Sequence, residues 1–338
     1  MDKKKVILLA DIHDSLPDLN SAFKQEWESR ESIQFLMDTI LKLEYEVILL
    51  EPKKSKLKIL DILKDIVGSD SISDFILFNL VEGFSSRNRE GYIPSLAEFF
   101  GIPFAGSDAY SQAISLDKNL MKSIVKKLNI PTRSSFLITD IHDLPFILNY
   151  PVFIKPNAEG SSLGISKSNL VHNLKELKVK GSELLENFDS FLIEDYLAGE
   201  DLTLGVVGNF PNYEVTSVAK VSYPDLVYSE EIKTKESMPE KLSFSIQKSL
   251  EEKIQSDTIK ICKKLKVTGY ARLDWKCDAL GNPFFLELNL TPGLSAYYSS
   301  LPICYLETLG NYSDLIKKVL QFGYENYNTN KIFNYGRL

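Results

Sequence analysis

The chain begins with a short unbroken apolar run, Val6-Ile7-Leu8-Leu9-Ala10, which stops at Asp11. A run of this kind predicts a strand buried on both faces, as in a parallel sheet. Apolar residues then recur at helical spacing: Ile33, Leu36, Met37, Ile40 and Leu41. A second strand is expected over residues 46–50, closed by Pro52. A helix carrying Leu57, Leu60, Ile62, Leu63 and Ile66 follows, then a third strand over 75–80. Strands alternating with helices predict an open, mostly parallel α/β sheet, whose ligands sit beyond the carboxyl ends of the strands. Residues 11–14 and 79–89 follow two such ends.

Residues 101–106 read as a loop, and 117–128 as a helix ended by Ile130-Pro131-Thr132. A short strand over 151–156 is fenced by prolines and runs into the Gly/Ser-rich stretch 157–166. Strands are expected over 191–194 and 202–208, and a helix over 250–265. Between them, residues 223–238 are polar and aperiodic, and loops of that length in a compact chain are usually functional or disordered. Two later segments, 270–275 and 285–290, alternate with period two around the turn residues Ala279-Leu280-Gly281-Asn282. A tight turn centred on Leu280-Gly281 pairs Asp274 with Glu287 and Arg272 with Asn289. Those four side chains then share one face, with Leu273, Leu286 and Leu288 on the other.

Two carboxylates and an amide are all hard oxygen donors, suited to Mg²⁺ or Mn²⁺. A solvated hairpin face with cross-strand ion pairs is the other reading of this pattern. The next segment, Thr291-Pro292-Gly293-Leu294, holds a glycine that lets backbone approach a ligand and offers an amide to a developing oxyanion; a plain turn glycine is the alternative. Lys155 ends its strand before Gly160-Ser161-Ser162-Leu163-Gly164, whose amides and hydroxyls suit phosphates. The same five residues match the G-x-S-x-G nucleophile elbow. That reading fails because no acid lies between Ser162 and the only later histidine, His172. Nor is this a P-loop, since no lysine follows Gly164 in register. At 191–201, Glu194 and the Leu197 backbone suit an adenine edge and Asp201 suits ribose hydroxyls; an exposed acidic loop is the alternative.

Composition narrows the function class. At 338 residues the chain is long enough for two or three domains with their own cores. A net charge of −7 argues against nucleic-acid partners, which need a basic footprint. The three cysteines (262, 277, 304) are scattered without zinc spacing, and three histidines leave few candidates for histidine-based catalysis. No apolar run reaches the length of a membrane helix, and the N-terminal run is too short for a secretory signal. The expectation is a cytoplasmic protein with no membrane partner.

Taken in order, Leu116-Asp117-Lys118, Phe153-Ile154-Lys155-Pro156 with the 159–164 loop, Glu194-Asp195-Tyr196-Leu197, Ala271-Arg272-Leu273-Asp274 and residues 286–294 resemble the ATP-grasp superfamily, and within it the D-alanine–D-alanine ligase family. The resemblance spans residues 117 to about 302, and residues 101–107 share it. It implies an N-terminal α/β pre-ATP-grasp domain (1–110), a small lid domain (111–193) and a C-terminal ATP-grasp domain (194–338). It implies an ADP-forming ligase that joins two amino acids through an acyl phosphate, and a homodimer. By this resemblance Lys118 and Lys155 contact ATP phosphates, and Ser161 and Ser162 lie over the γ-phosphate. Asp274, Glu287 and Asn289 ligate two Mg²⁺ ions, and Arg272 and the Gly293 amide stabilise the oxyanion. Lys233, in the long polar loop, reaches the γ-phosphate. Glu28 matches the carboxylate that receives the substrate ammonium, while Ser300 and Leu301 meet the substrate carboxylate.

The chain departs from the peptidoglycan enzymes at Thr234, after the loop lysine, in the longer segment 11–31, and by one extra residue in 296–301. All three departures touch the amino-acid sites. A specialised amino-acid or dipeptide ligase of secondary metabolism is therefore the alternative substrate reading, and a catalytically silent ATP-binding protein the alternative class.

Overall fold

The computed structural model describes residues 3–13, 27–54, 56–69, 71–81, 86–160, 162–223 and 241–332. Ser161, Lys233 and Thr234 lie outside the described residues. Three sheets organise the described residues.

In the first, β1 (Lys5–Leu9), β2 (Glu46–Leu50), β3 (Phe75–Asn79) and β4 (Phe104–Ala105) run parallel in the order β2-β1-β3-β4. The β1 run is continuously apolar because both its faces are covered. Val6, Leu8, Ala10 and Ile12 enter one core with Ile33, Leu36 and Ile40 of α1 (Arg30–Lys42). Ile7 and Leu9 enter another with Ile59, Leu63 and Ile66 of α2 (Lys56–Val67) and Ile93 and Ala97 of α3 (Tyr92–Phe100). The stretch 101–106, read from sequence as a loop, contains β4. Two residues are too few to show a period, and only pairing with Leu77 and Phe78 makes them a strand.

The second sheet is small and antiparallel: β5 (Ser135–Ile138), β6 (Val152–Pro156), β7 (Leu170–Val171) and β8 (Phe191–Asp195), in the order β5-β8-β6-β7. Helix α6 (Leu174–Asn187) closes its core with Leu177 and Leu184 against Val152, Ile154, Phe191 and Ile193.

The third sheet is antiparallel: β9 (Asp201–Asn209), β10 (Asn212–Val215), β11 (Ala219–Ser222), β12 (Lys241–Ser243), β13 (Thr268–Cys277) and β14 (Pro283–Asn289). Its order is β12-β11-β9-β13-β14, with β10 folded onto β9. Helices α4 (Ala109–Leu116) and α5 (Lys118–Lys127) lead up to the second sheet. Met121 and Val125 of α5 and Ile254, Ile261 and Leu265 of α7 (Lys248–Leu265) pack beneath the third. After β14 come α8 (Ser300–Thr308) and α9 (Tyr312–Ile332). Leu315, Ile316, Val319 and Leu320 of α9 return to the first sheet, in a core shared with Val207 and Tyr270 of the third.

The β13–β14 register agrees with the sequence expectation at the four candidate residues: Arg272 pairs with Asn289, Leu273 with Leu288 and Asp274 with Glu287. A bulge between Asp274 and Trp275 then shifts the pairing, so that Trp275 opposes Phe285. Leu286 is therefore not on the core face with Leu273 and Leu288. Phe285 takes that place, fully buried and edge-on to Trp275 at 5.8 Å between ring centroids. Strict alternation cannot anticipate the extra residue of a bulge.

This register has a measurable signature. Phe285→Ala should lower unfolding free energy by about 3–5 kcal/mol, and Leu286→Ala by about 1 kcal/mol. Urea denaturation of both variants checks it, and the reverse ranking would restore unbroken alternation.

Candidate functional site

The site is assembled where the three sheets meet. Asp117 caps α5, its carboxylate accepting from the Leu120 N–H at 2.9 Å. It also accepts from Asn157 Nδ2 at 3.1 Å, and the Asn119 N–H donates to Asn157 Oδ1 at 2.9 Å. The start of α5 is thereby tied to the loop that leaves β6, which sets Lys118 beside the end of the Lys155 strand.

Lys155 and Glu194 come from adjacent strands of the second sheet and pair at 3.1 Å. Lys122, one turn along α5 from Lys118, reaches the other oxygen of Glu194 at 2.8 Å. All three side chains are buried. Burial alone would raise the Glu194 carboxyl, but Lys155 and Lys122 outweigh it and hold it at about 2. Burial pulls Lys122 below the usual lysine range despite Glu194. Sequence reading singled out Lys155 and Glu194 but missed Lys122; the available signal was a second lysine four positions after Lys118 on the same helix face.

Lys118 donates to the Glu159 carbonyl and sits 3.3 Å from Glu287 Oε2. Lys118, Lys155 and Arg272 overcome burial at Glu287 and hold its carboxyl at about 2. Arg272 grips Asp274 through Nε and Nη2, at 3.0 and 2.9 Å, and Thr203 of β9 donates to Asp274 at 2.7 Å. Burial pushes Asp274 upward, against the pull of Arg272. Asn289 accepts from the Thr291 N–H through Oδ1 at 2.9 Å. Arg272, Asp274, Glu287 and Asn289 thus stand on one face as expected. No cluster of three or more His, Cys, Asp or Glu forms among the described residues. The oxygen-donor set of Asp274, Glu287 and Asn289, with no thiolate or imidazole, fits a hard divalent cation and not zinc.

In the loop after β6, Ser162 adopts left-handed backbone geometry at φ 59°. The Leu163 N–H donates to Gly160 and the Ile165 N–H to Ser162, making two successive turns. Leu197 is buried, and Asp201 pairs with Lys276 at 2.7 Å and accepts from the Tyr223 hydroxyl.

Glu28 enters from the segment before α1 and bridges in parallel to Ile12. Burial raises its carboxyl, although the Tyr298 hydroxyl donates to it at 2.9 Å and the Leu294 N–H also hydrogen-bonds it. A Cβ on Gly293 would lie 2.7 Å from Ser299 Oγ and 3.4 Å from Glu28 Oε1, so a side chain here would force the Ser299 hydroxyl to move. Glu28 and Gly293, 265 positions apart, are therefore neighbours. Ser300 is buried in the first turn of α8. The Leu301 side chain lies in the core against Gly205. Any contact Leu301 makes with a ligand must come from its backbone. Ser299, which sequence reading passed over, puts its hydroxyl at Gly293 instead.

The Glu194 cluster yields an acid-stability prediction. Its folded carboxyl, at about 2, lies below its ordinary 4.5. The pairing therefore stabilises the fold fully above pH 4.5 and is lost as pH falls toward 2. Glu194→Gln should destabilise the protein by about 3–5 kcal/mol at pH 7, since it strands buried lysine charge. The gap to the parent should narrow between pH 4.5 and 2 in chemical denaturation; a pH-independent gap would contradict the pairing.

A family model for the D-Ala D-Ala ligase C-terminus matches residues 137–321. The D-alanine–D-alanine ligase of Aquifex aeolicus is 32% identical over 237 residues, covering 69% of this chain and 77% of that one. D-alanine–D-alanine ligase B of Clostridium perfringens is 28% identical over 243 residues, covering 70% and 75%. Among solved structures, the Bacillus anthracis D-alanine–D-alanine ligase complexed with ATP superposes with a TM-score of 0.76 at 20% identity, over 97% of this chain and 99% of that one. No described helix is long and apolar enough to cross a membrane. The matched stretch exceeds half the chain and contains the strands that carry Lys155, Glu194, Arg272, Asp274, Glu287 and Asn289; the chain belongs to the D-alanine–D-alanine ligase family, whose members are ADP-forming C–N ligases.

Proposed function

We propose that this protein joins two amino acids at the expense of ATP through an acyl phosphate. The observation that carries the reading is the face of Arg272, Asp274, Glu287 and Asn289, with Lys118 on Glu287. It places cations and hard oxygen donors together where phosphoryl transfer needs charge neutralised.

In this reading Lys118 and Lys155 bind the phosphates. Glu194 fixes Lys155 and, with the Leu197 backbone, borders the adenine. Asp201 borders the ribose. Asp274, Glu287 and Asn289 would hold two Mg²⁺ ions, which when bound neutralise charge on the transferring phosphoryl group. The carboxylate of the first amino acid attacks the γ-phosphorus and ADP departs. The amine of the second then attacks the acyl carbon, loses a proton, and inorganic phosphate leaves. Arg272 and the Gly293 N–H face the oxyanion of that tetrahedral intermediate. Glu28, beside Gly293, receives the ammonium of the first amino acid, next to the reacting carbonyl. Ser300 and the Leu301 backbone, joined by the Ser299 hydroxyl, receive the substrate carboxylate. Lys233 and Ser161 complete the enclosure of the γ-phosphate, which excludes water from the acyl phosphate.

The Tyr298 phenol on Glu28 supports a specialised amino-acid pocket as the second reading, because it occupies space beside the ammonium site. One experiment addresses both: amine-dependent ADP release over a panel of D- and L-amino acids. Turnover confined to D-alanine supports cell-wall chemistry, turnover with other pairs supports a specialised ligase, and ATP binding without amine-dependent turnover overturns ligation.

Glu287→Gln should reduce ADP release at least a hundredfold while circular dichroism stays near the parent's and the melting temperature falls, because the metal face loses a ligand charge and Lys118 its partner. Near-parental ADP release would reject the assignment.

A further inference from the structure

Arg89 belongs to the turn Arg89–Gly91 that leads into α3, far in sequence from the nucleotide loop. Its guanidinium nevertheless crosses to that loop. Nη1 donates to the Ala158 carbonyl at 2.8 Å, and Nη2 pairs with Glu159 Oε2 at 3.0 Å. The Arg89 side chain is buried, while its partner Glu159 is partly exposed. The Glu159 carbonyl accepts from Lys118, which in turn pairs with Glu287. Arg89, Glu159, Lys118 and Glu287 thus form one polar chain linking the turn before α3, the loop after β6 and the β13–β14 face.

We propose that Arg89 is a positioning residue for phosphoryl transfer, holding the loop that begins at Ala158 in place over the γ-phosphate. The inference rests on the ligase reading for the identity of that phosphate. The Lys118 side chain holds the loop at the Glu159 carbonyl, and a phosphate at Lys118 competes for the same ammonium. Arg89 reaches the loop at two points, one backbone and one side chain: the Ala158 carbonyl and the Glu159 carboxylate. The planar fork sets the height and the orientation of the loop together, which a single point charge does not. Because the contact reaches the loop and not the adenine end of the site, its loss should fall on interactions with the γ-phosphate.

Two measurements on the full chain test this. The first is the binding of ADP and of a non-hydrolysable ATP analogue with Mg²⁺. Arg89→Ala should leave ADP affinity within about threefold of the parent and erase about tenfold of the preference for the triphosphate, the scale of one charge-assisted contact. Arg89→Lys should recover part of that preference. Glu159→Gln, which keeps the Ala158 contact, should give part of the Arg89→Ala loss, and the double variant should be no worse than Arg89→Ala alone. The second is turnover: the ATP KM should rise in step with the lost triphosphate affinity, and ADP release per amide formed should rise as water reaches the acyl phosphate. An Arg89→Ala protein with unchanged triphosphate preference overturns the proposal. So does one whose ADP and triphosphate affinities fall equally, since that is a folding defect. If the parent shows no amine-dependent turnover, the ligase reading fails, and the binding comparison still decides the role of Arg89.

Discussion

The geometry of the candidate site depends on the pairing of β13 with β14, and on where that pairing breaks. From Arg272 to Asp274 the two strands stay in one register, which sets four polar side chains side by side. One residue later the bulge turns Trp275 and Phe285 together into the core. The polar face is rigid because the layer beneath it is packed aromatic and aliphatic side chains with no space to rotate. Pairing of β13 with β9 on its other edge brings Thr203 onto Asp274. The carboxylate is thus oriented from two strands.

Charge governs the rest of the site. Glu194 is held between Lys155 and Lys122, and Glu287 is approached by Lys118. Buried charges of one sign are tolerated only when opposite charges are buried with them. Each carboxylate therefore fixes a lysine that a flexible four-carbon stem would otherwise leave in many rotamers. The site presents its cations already oriented, so less reorganisation is needed when an anionic phosphate arrives.

The amino-acid side follows a different logic. Glu28, Ser29, Ser32, Ser295, Ser299 and Tyr298 form a hydrogen-bonded cluster between the start of α1 and the loop after Gly293. The cluster joins the first sheet to the third, with Ser32 and Ser295 hydroxyls 2.7 Å apart. Gly293 permits the approach, since any side chain there would strike Ser299. The Glu28 carboxylate and the Gly293 amide thereby stand together, the arrangement that the proposed chemistry on a single amino acid requires.

The hydrophobic pattern by itself determined the strands and helices whose period is local: β1, β2, β3, α1, α2, α5, α7 and the β13–β14 face. It also brought Arg272, Asp274, Glu287 and Asn289 into one set, because a hairpin is a short-range structure whose side chains alternate by geometry alone. Short edge strands such as β4 and β7 carry too few residues for a period, and their identity comes from the partner strand. The bulge that exchanged Leu286 for Phe285 likewise exists only in the paired sheet. Lys122 on Glu194, Arg89 on Glu159, Tyr298 on Glu28 and Ser299 at Gly293 were decided by tertiary structure. Apart from Ser299 and its glycine, these partners lie about 70 or more positions apart. No local spacing rule reaches that far, and only the docking of the three sheets brings such residues within hydrogen-bonding distance.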